Sequence, residues 1–245
     1  MGGELGVEQK QGYNLRFYLN LYFDDKNGEQ GAKDSEIIIS LFRKKNNERL
    51  ADYGLPLVST TPVSYSNPAC ALSSGALKTS LLVYEKQINL DPSIYSDPEG
   101  YYVSWQRCCR NTVISNINTP GQVGMVFYAE FPPVRFAGSD FKNSSPKMNP
   151  VKGDYLCAKQ QYSYSFAASD PDGDKLVYSL ITPLQGTSSQ SNIAPIGDPG
   201  PYQNVFWASG FSTNPIPGSP GLQVNAQTGL VTVTPNFLGL YVFTQ

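Results

Sequence analysis

The chain has 245 residues, 16% of them charged, a formal net charge of −2 and no histidine. Without basic runs it is a poor match for nucleic acid, which is held by Lys and Arg against phosphates. The missing imidazole excludes Ser-His-Asp and Cys-His nucleophile systems and His-ligated zinc, and no run of roughly 18 apolar residues exists to span a bilayer.

Gly (22) and Pro (19) are plentiful, and Tyr (16) and Phe (12) favour strands. Many short strands joined by turn-rich loops are expected, with no helix longer than a turn or two. Met1 directly before Gly2-Gly3-Glu4-Leu5 reads as a start codon placed on a mature sequence. Tyr13, Leu15, Phe17, Leu19, Leu21 and Phe23 alternate with Asn14, Arg16 and Asn20, the two-residue period of a half-buried strand. Asp24-Asp25-Lys26-Asn27-Gly28 is a turn by composition. Further strands are expected at Glu36–Arg43, Leu81–Leu90, Tyr101–Cys109 and Gly124–Phe131. The stretch Leu50–Ala76, with three prolines and Cys70, reads as irregular.

Pro132-Pro133 ends this first set, and Gly138 to Pro146 is a polar linker. A second set is expected at Tyr155–Cys157, Tyr162–Ala168, Lys175–Thr182, Leu222–Asn225, Leu230–Thr234 and Gly239–Gln245. Asn225 to Gly229 reads as a hairpin turn with Gly229 free to take positive φ. Leu184 to Gly221 is a Pro/Gly/Ser/Asn-rich insertion, of a length that is usually functional or mobile. The final run, Leu240 to Gln245, stops inside what reads as a strand, as in a piece of a longer protein. The simplest architecture is all-β: two tandem antiparallel β-sandwiches, residues 1–138 and 150–245, joined by a linker at 139–149.

Cys70, Cys108, Cys109 and Cys157 form an even set in a turn-rich β chain, pointing to an oxidising compartment and two disulfides. Neighbours on an extended strand face opposite ways, so Val103, Trp105 and Cys109 share one face and Ser104, Gln106 and Cys108 the other. With the apolar face turned inward, the pairs expected are Cys70–Cys109 and Cys108–Cys157. The cluster Arg107-Cys108-Cys109-Arg110-Asn111 has no Cys-x-x-Cys or histidine beside it, so a stapling role is favoured over a redox or metal site.

Asp170-Pro171-Asp172-Gly173-Asp174 places three carboxylates on alternate residues ahead of an alternating strand. Repelling carboxylates in a tight loop suit a hard cation, and Ca2+ takes six to eight oxygen ligands in tolerant geometry. A solvated turn is the alternative, since Asp, Pro and Gly are also turn residues.

Ala167 to Leu180, with the later Leu222-Gln223-Val224-Asn225-Ala226-Gln227-Thr228-Gly229-Leu230-Val231-Thr232-Val233, resembles a cadherin-like, immunoglobulin-type repeat. The resemblance implies calcium shared between successive domains, with Asp170 and Asp172 at the matching positions and Asp140 and Asn143 as candidate linker ligands. This linker lacks that family's Asp-x-Asn-Asp-Asn run. The whole chain is also similar to the N-terminal part of large Bacteroidota surface proteins associated with gliding motility and type IX secretion. That likeness rests on Gly2-Gly3-Glu4-Leu5, Leu19-Asn20-Leu21-Tyr22-Phe23-Asp24, Gly100 to Asn111 and Asn143-Ser144-Ser145-Pro146. It implies an adhesin-like module on the cell surface, with neighbouring β-domains of one long chain and an unknown surface or glycan as partners.

Carboxylate chemistry such as glycoside hydrolysis needs a pair held roughly 5–9.5 Å apart in a cleft. The only dense acidic cluster sits on a tight loop, so a non-enzymatic structural or adhesive role is expected, with no nucleic acid bound and no membrane insertion. The alternative is a carbohydrate-binding module, with Trp207 and Tyr202 as candidate glycan contacts. Trp105 is expected to pack against a disulfide, as in other sandwiches.

Overall fold

A computed structural model describes residues 2–71, 77–149, 151, 153–213, 216, 218 and 220–245. The chain is all-β: among the described residues no α-helix forms, only three single 3-10 turns. The long strands are β1 (Gly2–Gln9), β2 (Asn14–Asp24), β3 (Glu36–Arg43) and β4 (Arg49–Pro62). Next come β5 (Tyr65–Ser66), β6 (Thr79–Asn89), β7 (Tyr101–Arg107) and β8 (Gly124–Phe131). Short ladders use β9 (Arg135–Phe136), β10 (Ser139–Asp140), β11 (Lys147–Met148) and β12 (Gly153–Asp154). The rest are β13 (Tyr162–Ser165), β14 (Ala168–Ser169), β15 (Leu184–Gly186), β16 (Gln203–Asn204), β17 (Gln223–Val224) and β18 (Leu230–Val233).

Nine of them form one antiparallel sheet in the order β1-β2-β6-β4-β3-β7-β8-β15-β16. The sheet curls over its own core, so that Phe17 of β2 meets Phe131 of β8 edge-on, ring centroids 5.8 Å apart. The alternation read from the sequence sets the buried face: Leu15, Phe17, Leu19, Leu21 and Phe23 are at most 2% exposed. The opposite face of β2 is not all solvent. Tyr18 is buried across Gly6, its ladder partner, where any Cβ would collide with the ring, and the Arg16 guanidinium lies 4.9 Å above it.

The longest strand falls where the prolines suggested irregularity. β4 pairs with β3 through its first half and with β6 through its second, shifting register near Leu57. Pro56 sits at that crossover, opposite Glu36 at the start of β3, so its missing N–H interrupts neither ladder interior. Residues 72–76, the end of that stretch, lie outside the described residues. β1 also escaped prediction, because its glycines weaken propensity and pairing with β2 alone makes it a strand.

The second half is less regular than its alternation suggests. Lys175–Thr182 and Gly239–Gln245 share one isolated bridge, Ile181 to Thr244, and a second isolated bridge joins Leu240 to Ile114. A two-residue period specifies a strand only where a partner strand lies alongside, and these segments find single residues instead. Tyr155–Cys157 is also not a strand; pairing moves earlier, to Gly153 and Asp154 in parallel with Tyr65 and Ser66 of β5. The predicted hairpin is present, with β17 against β18 and Gly229 at φ +65°.

Apolar burial divides into three clusters. The largest draws only on residues up to Val134, while one built on Ile216, Leu222, Val231 and Val233 draws only on residues from Leu156 onward. A small third joins Ile114, Ile117 and Val123 to Val205.

Candidate functional site

The cysteines pair differently from the expectation. The bonds are Cys70–Cys157 and Cys108–Cys109, not Cys70–Cys109 and Cys108–Cys157. The face argument failed because β7 ends at Arg107, so neither Cys108 nor Cys109 belongs to the extended ladder that separates neighbouring side chains. Their Cα atoms stand 3.0 Å apart across a cis peptide bond. Cys70 is carried next to Cys157 (Cα separation 4.8 Å) by the β5–β12 ladder and the packing of the Tyr65 and Tyr155 rings, 5.0 Å between centroids.

Residues beside the adjacent pair each hold a different segment. Arg107 bridges to Asp34 at 2.9 Å, and Asn111 donates to Asp24 at 2.6 Å. The Cys108 N–H reaches the Ile193 carbonyl at 2.7 Å. Arg110 is 8% exposed and donates to the Leu184 carbonyl at 2.8 Å, while its Nε has no partner among the described residues. Burial pulls this guanidinium down to about 10, which leaves it a cation at neutral pH. Asp24, Asp34, Leu184 and Ile193 are drawn to this corner by these polar contacts, whereas the bond between the adjacent cysteines joins no remote segments.

The acidic loop distributes its carboxylates instead of converging them. Asp170 Oδ1 accepts the N–H groups of Asp172 and Asp174 at 2.8 and 3.1 Å, around Gly173 at φ +87°. Asp172 points to the linker, where it accepts the Ser144 N–H at 2.7 Å with Lys142 Nζ 4.0 Å away. Asp174 is exposed. Asp140 accepts the Tyr13 hydroxyl at 2.6 Å, on the far side of the linker turn. Asn143 donates its N–H to Gln9 Oε1 at 3.0 Å, and its own Oδ1 is buried without a partner among the described residues. Among the described residues no group of three or more Asp, Glu, Cys or His side chains is placed to hold a metal. The donors that fit a hard cation are oxygen only: the Asp172 carboxylate and the orphaned Asn143 Oδ1, fewer than calcium's usual six to eight.

The long insertion is a cover for the sheet. β15 extends the sheet beyond β8, and the segment between β15 and β16 lies over the polar face of β7. Gln106, 3% exposed, accepts from Thr187 N at 2.8 Å and donates to the Asp198 carbonyl at 3.1 Å. Tyr202 shares a 2.8 Å bond with Ser104 and packs edge-on against Tyr128. Trp207 packs with Ile114, Ile117 and Val205. Both candidate glycan-contact rings are therefore half-buried, and the exposed ring is the neighbouring Phe206, at 70%. Trp105 packs on Phe127, centroids 5.5 Å apart.

No family model, curated protein or solved structure matches this chain. Among the described residues no helix is long and apolar enough to cross a membrane. Sequence reasoning missed Gln106 as an organiser and named Arg110 only as a member of the cysteine cluster. Their one available signal was polarity inside an otherwise aromatic and cysteine-bearing strand end.

Proposed function

We propose that this chain is a non-enzymatic structural and adhesive module of a large secreted bacterial surface protein. Its organisation would be that of Bacteroidota gliding-motility adhesins exported by type IX secretion, with sandwich modules in tandem. The observation that carries this reading is the full pairing of the four cysteines, with Cys70–Cys157 fixing the second half of the chain to the first. Disulfides persist in oxidising compartments and suit a chain that works outside the cell. Two of the three apolar clusters are drawn from separate halves, which supports two modules in series, although β15 and β16 add to the sheet of the first and the third cluster joins both halves. Calcium stiffening between them would use Asp172 and Asn143 on the linker side. The partners would be neighbouring β-domains of the same chain and a surface or glycan outside the cell.

The test is performed on intact cells of the native host. A membrane-impermeant amine-reactive biotin should label the full-length protein, and a non-reducing peptide map should recover Cys70 linked to Cys157. Protein that is shielded from the reagent, or that carries free thiols when isolated under alkylating conditions, would rule the reading out.

A further inference from the structure

The apolar cluster of the second half is incompletely filled, and a cavity of about 560 Å³ opens against it. That volume lies within the roughly 300–1,000 Å³ of small-molecule sites. One wall is an aromatic row. Tyr162, Tyr164 and Phe166 follow at two-residue spacing, so the strand alternation directs them to one face. The two tyrosine rings lie nearly parallel, 8° between planes and 6.4 Å between centroids, and Phe166 closes the row edge-on at 4.8 Å. Val233 and Val231 stand opposite the two tyrosines in the ladder and also line the space.

The polar groups nearby are already engaged. The Tyr155 hydroxyl accepts the Leu77 N–H at 2.6 Å, and the Tyr241 hydroxyl donates to the Phe237 carbonyl at 3.3 Å. No carboxylate lines the cavity among the described residues. At its mouth Val113, Phe237 and Leu238 are 47%, 66% and 66% exposed, a contiguous apolar rim where a sealed core would have a polar surface. Lys26 is the one charged side chain among the described lining residues and already has an interaction partner, so a cation would meet no opposite charge here and an anion only one that is shared. A flat ring, by contrast, gains both apolar burial and stacking on the tyrosine shelf.

We propose that this cavity is a binding site for an uncharged, apolar molecule built on fused or linked aromatic rings, seated on Tyr162 and Tyr164. The cavity needs neither calcium nor export to a surface, although Cys70 of the Cys70–Cys157 bond is part of its wall.

The probe is N-phenyl-1-naphthylamine, a neutral fluorophore with a naphthalene linked to a phenyl ring, titrated into the full chain. Saturable binding at one site per chain is expected. Val233→Trp, which fills the cavity, and Leu238→Asp, which places a charge on its exposed rim, should each weaken binding about tenfold or more. Phe136→Asp changes an exposed apolar residue that does not line the cavity and should leave binding unchanged. Far-UV circular dichroism and a thermal melt confirm each fold; should Val233→Trp not fold, Leu238→Asp decides. Non-saturable binding by the wild type overturns the proposal. So does binding that survives Leu238→Asp, or binding lost equally in Phe136→Asp.

Discussion

The Asp172 carboxylate accepts the Ser144 N–H at 2.7 Å, and the Ser144 hydroxyl accepts the Gln9 N–H at 3.1 Å. The acidic loop, the linker and the edge of the first strand are thus one hydrogen-bonded series. Ser145 extends it, its N–H bonding the Val7 carbonyl at 2.6 Å and its hydroxyl taking the Val7 N–H at 3.0 Å. An exposed edge strand is a template for unwanted pairing, and the linker covers this one.

Asp172→Ala removes a charged acceptor from that series. The expected cost is about 1–3 kcal/mol, a melting temperature lower by roughly 2–12 °C for a chain of this size. If calcium is also held there, millimolar calcium raises the wild-type melting temperature and leaves that of Asp172→Ala where it was. Thermal scans with and without calcium check both parts. An unchanged melting temperature for the variant would remove Asp172 from any role in coupling loop to linker.

The two disulfides should contribute very unequally. Cys70–Cys157 closes a loop of sequence separation 87, worth about 4–5 kcal/mol in the chain-entropy model, whereas Cys108–Cys109 closes almost none. Replacing Cys70 and Cys157 together by Ser should therefore lower the denaturation midpoint far more than replacing Cys108 and Cys109. Urea unfolding of the two double variants makes the comparison. Equal losses would mean that the adjacent pair holds native contacts that loop closure does not describe.

How much of this was legible in the sequence follows from where information is local. β3 and β8 were placed to the residue and β2, β6 and β7 within two, because two-residue alternation between turn-forming residues is a local signal. The acidic loop was located correctly, but its side chains answer to the linker, a contact between residues 28 apart that no local pattern encodes. Cysteine pairing failed for a related reason: face assignment holds only within a strand, and the end of β7 two residues early freed Cys108 and Cys109 from it. β4 was hidden by Pro56 and Pro62, which are tolerated because that strand changes partners midway. The half-buried state of Trp207 and Tyr202 depends on how the insertion folds back over β7 and β8, and composition carries no trace of that.

Glu8 gives the molecule a predictable acid response. Burial would raise its carboxyl, but hydrogen bonds and charge from Lys147 and Lys10 outweigh that and hold it at about 2. Arg16 adds a contact at 3.2 Å. With the folded value below the unfolded one near 4.5, the contribution to stability is full above about pH 4.5 and disappears as the pH falls towards 2. Because both lysines are more than a third exposed, screening limits the contribution to about 1–2 kcal/mol. Glu8→Gln should therefore be less stable than the wild type at pH 7 and indistinguishable from it near pH 2. Urea midpoints across that range test the sign, and a difference that grows on acidification would contradict it.

Gln106 is the one side chain of β7 that holds the insertion from both ends, accepting from Thr187 and donating to the Asp198 carbonyl. Thr187 and Asp198 also bond each other through their side chains, so the three residues close a ring over the sheet. Gln106→Leu preserves volume but leaves the Thr187 N–H without its partner, while the Asp198 carbonyl keeps the Tyr202 hydroxyl. Thr187 is exposed, so the loss of this part-buried hydrogen bond costs about 0.5–1.5 kcal/mol, and the insertion should loosen locally before the sheet does. Hydrogen exchange should then accelerate at Thr187 by up to about tenfold, while the ladder between β2 and β6 keeps wild-type protection. Tyr202, bonded to both Ser104 and the Asp198 carbonyl, limits how far the release spreads. Unchanged exchange at Thr187 would show that the insertion is held by its packing and not by this glutamine.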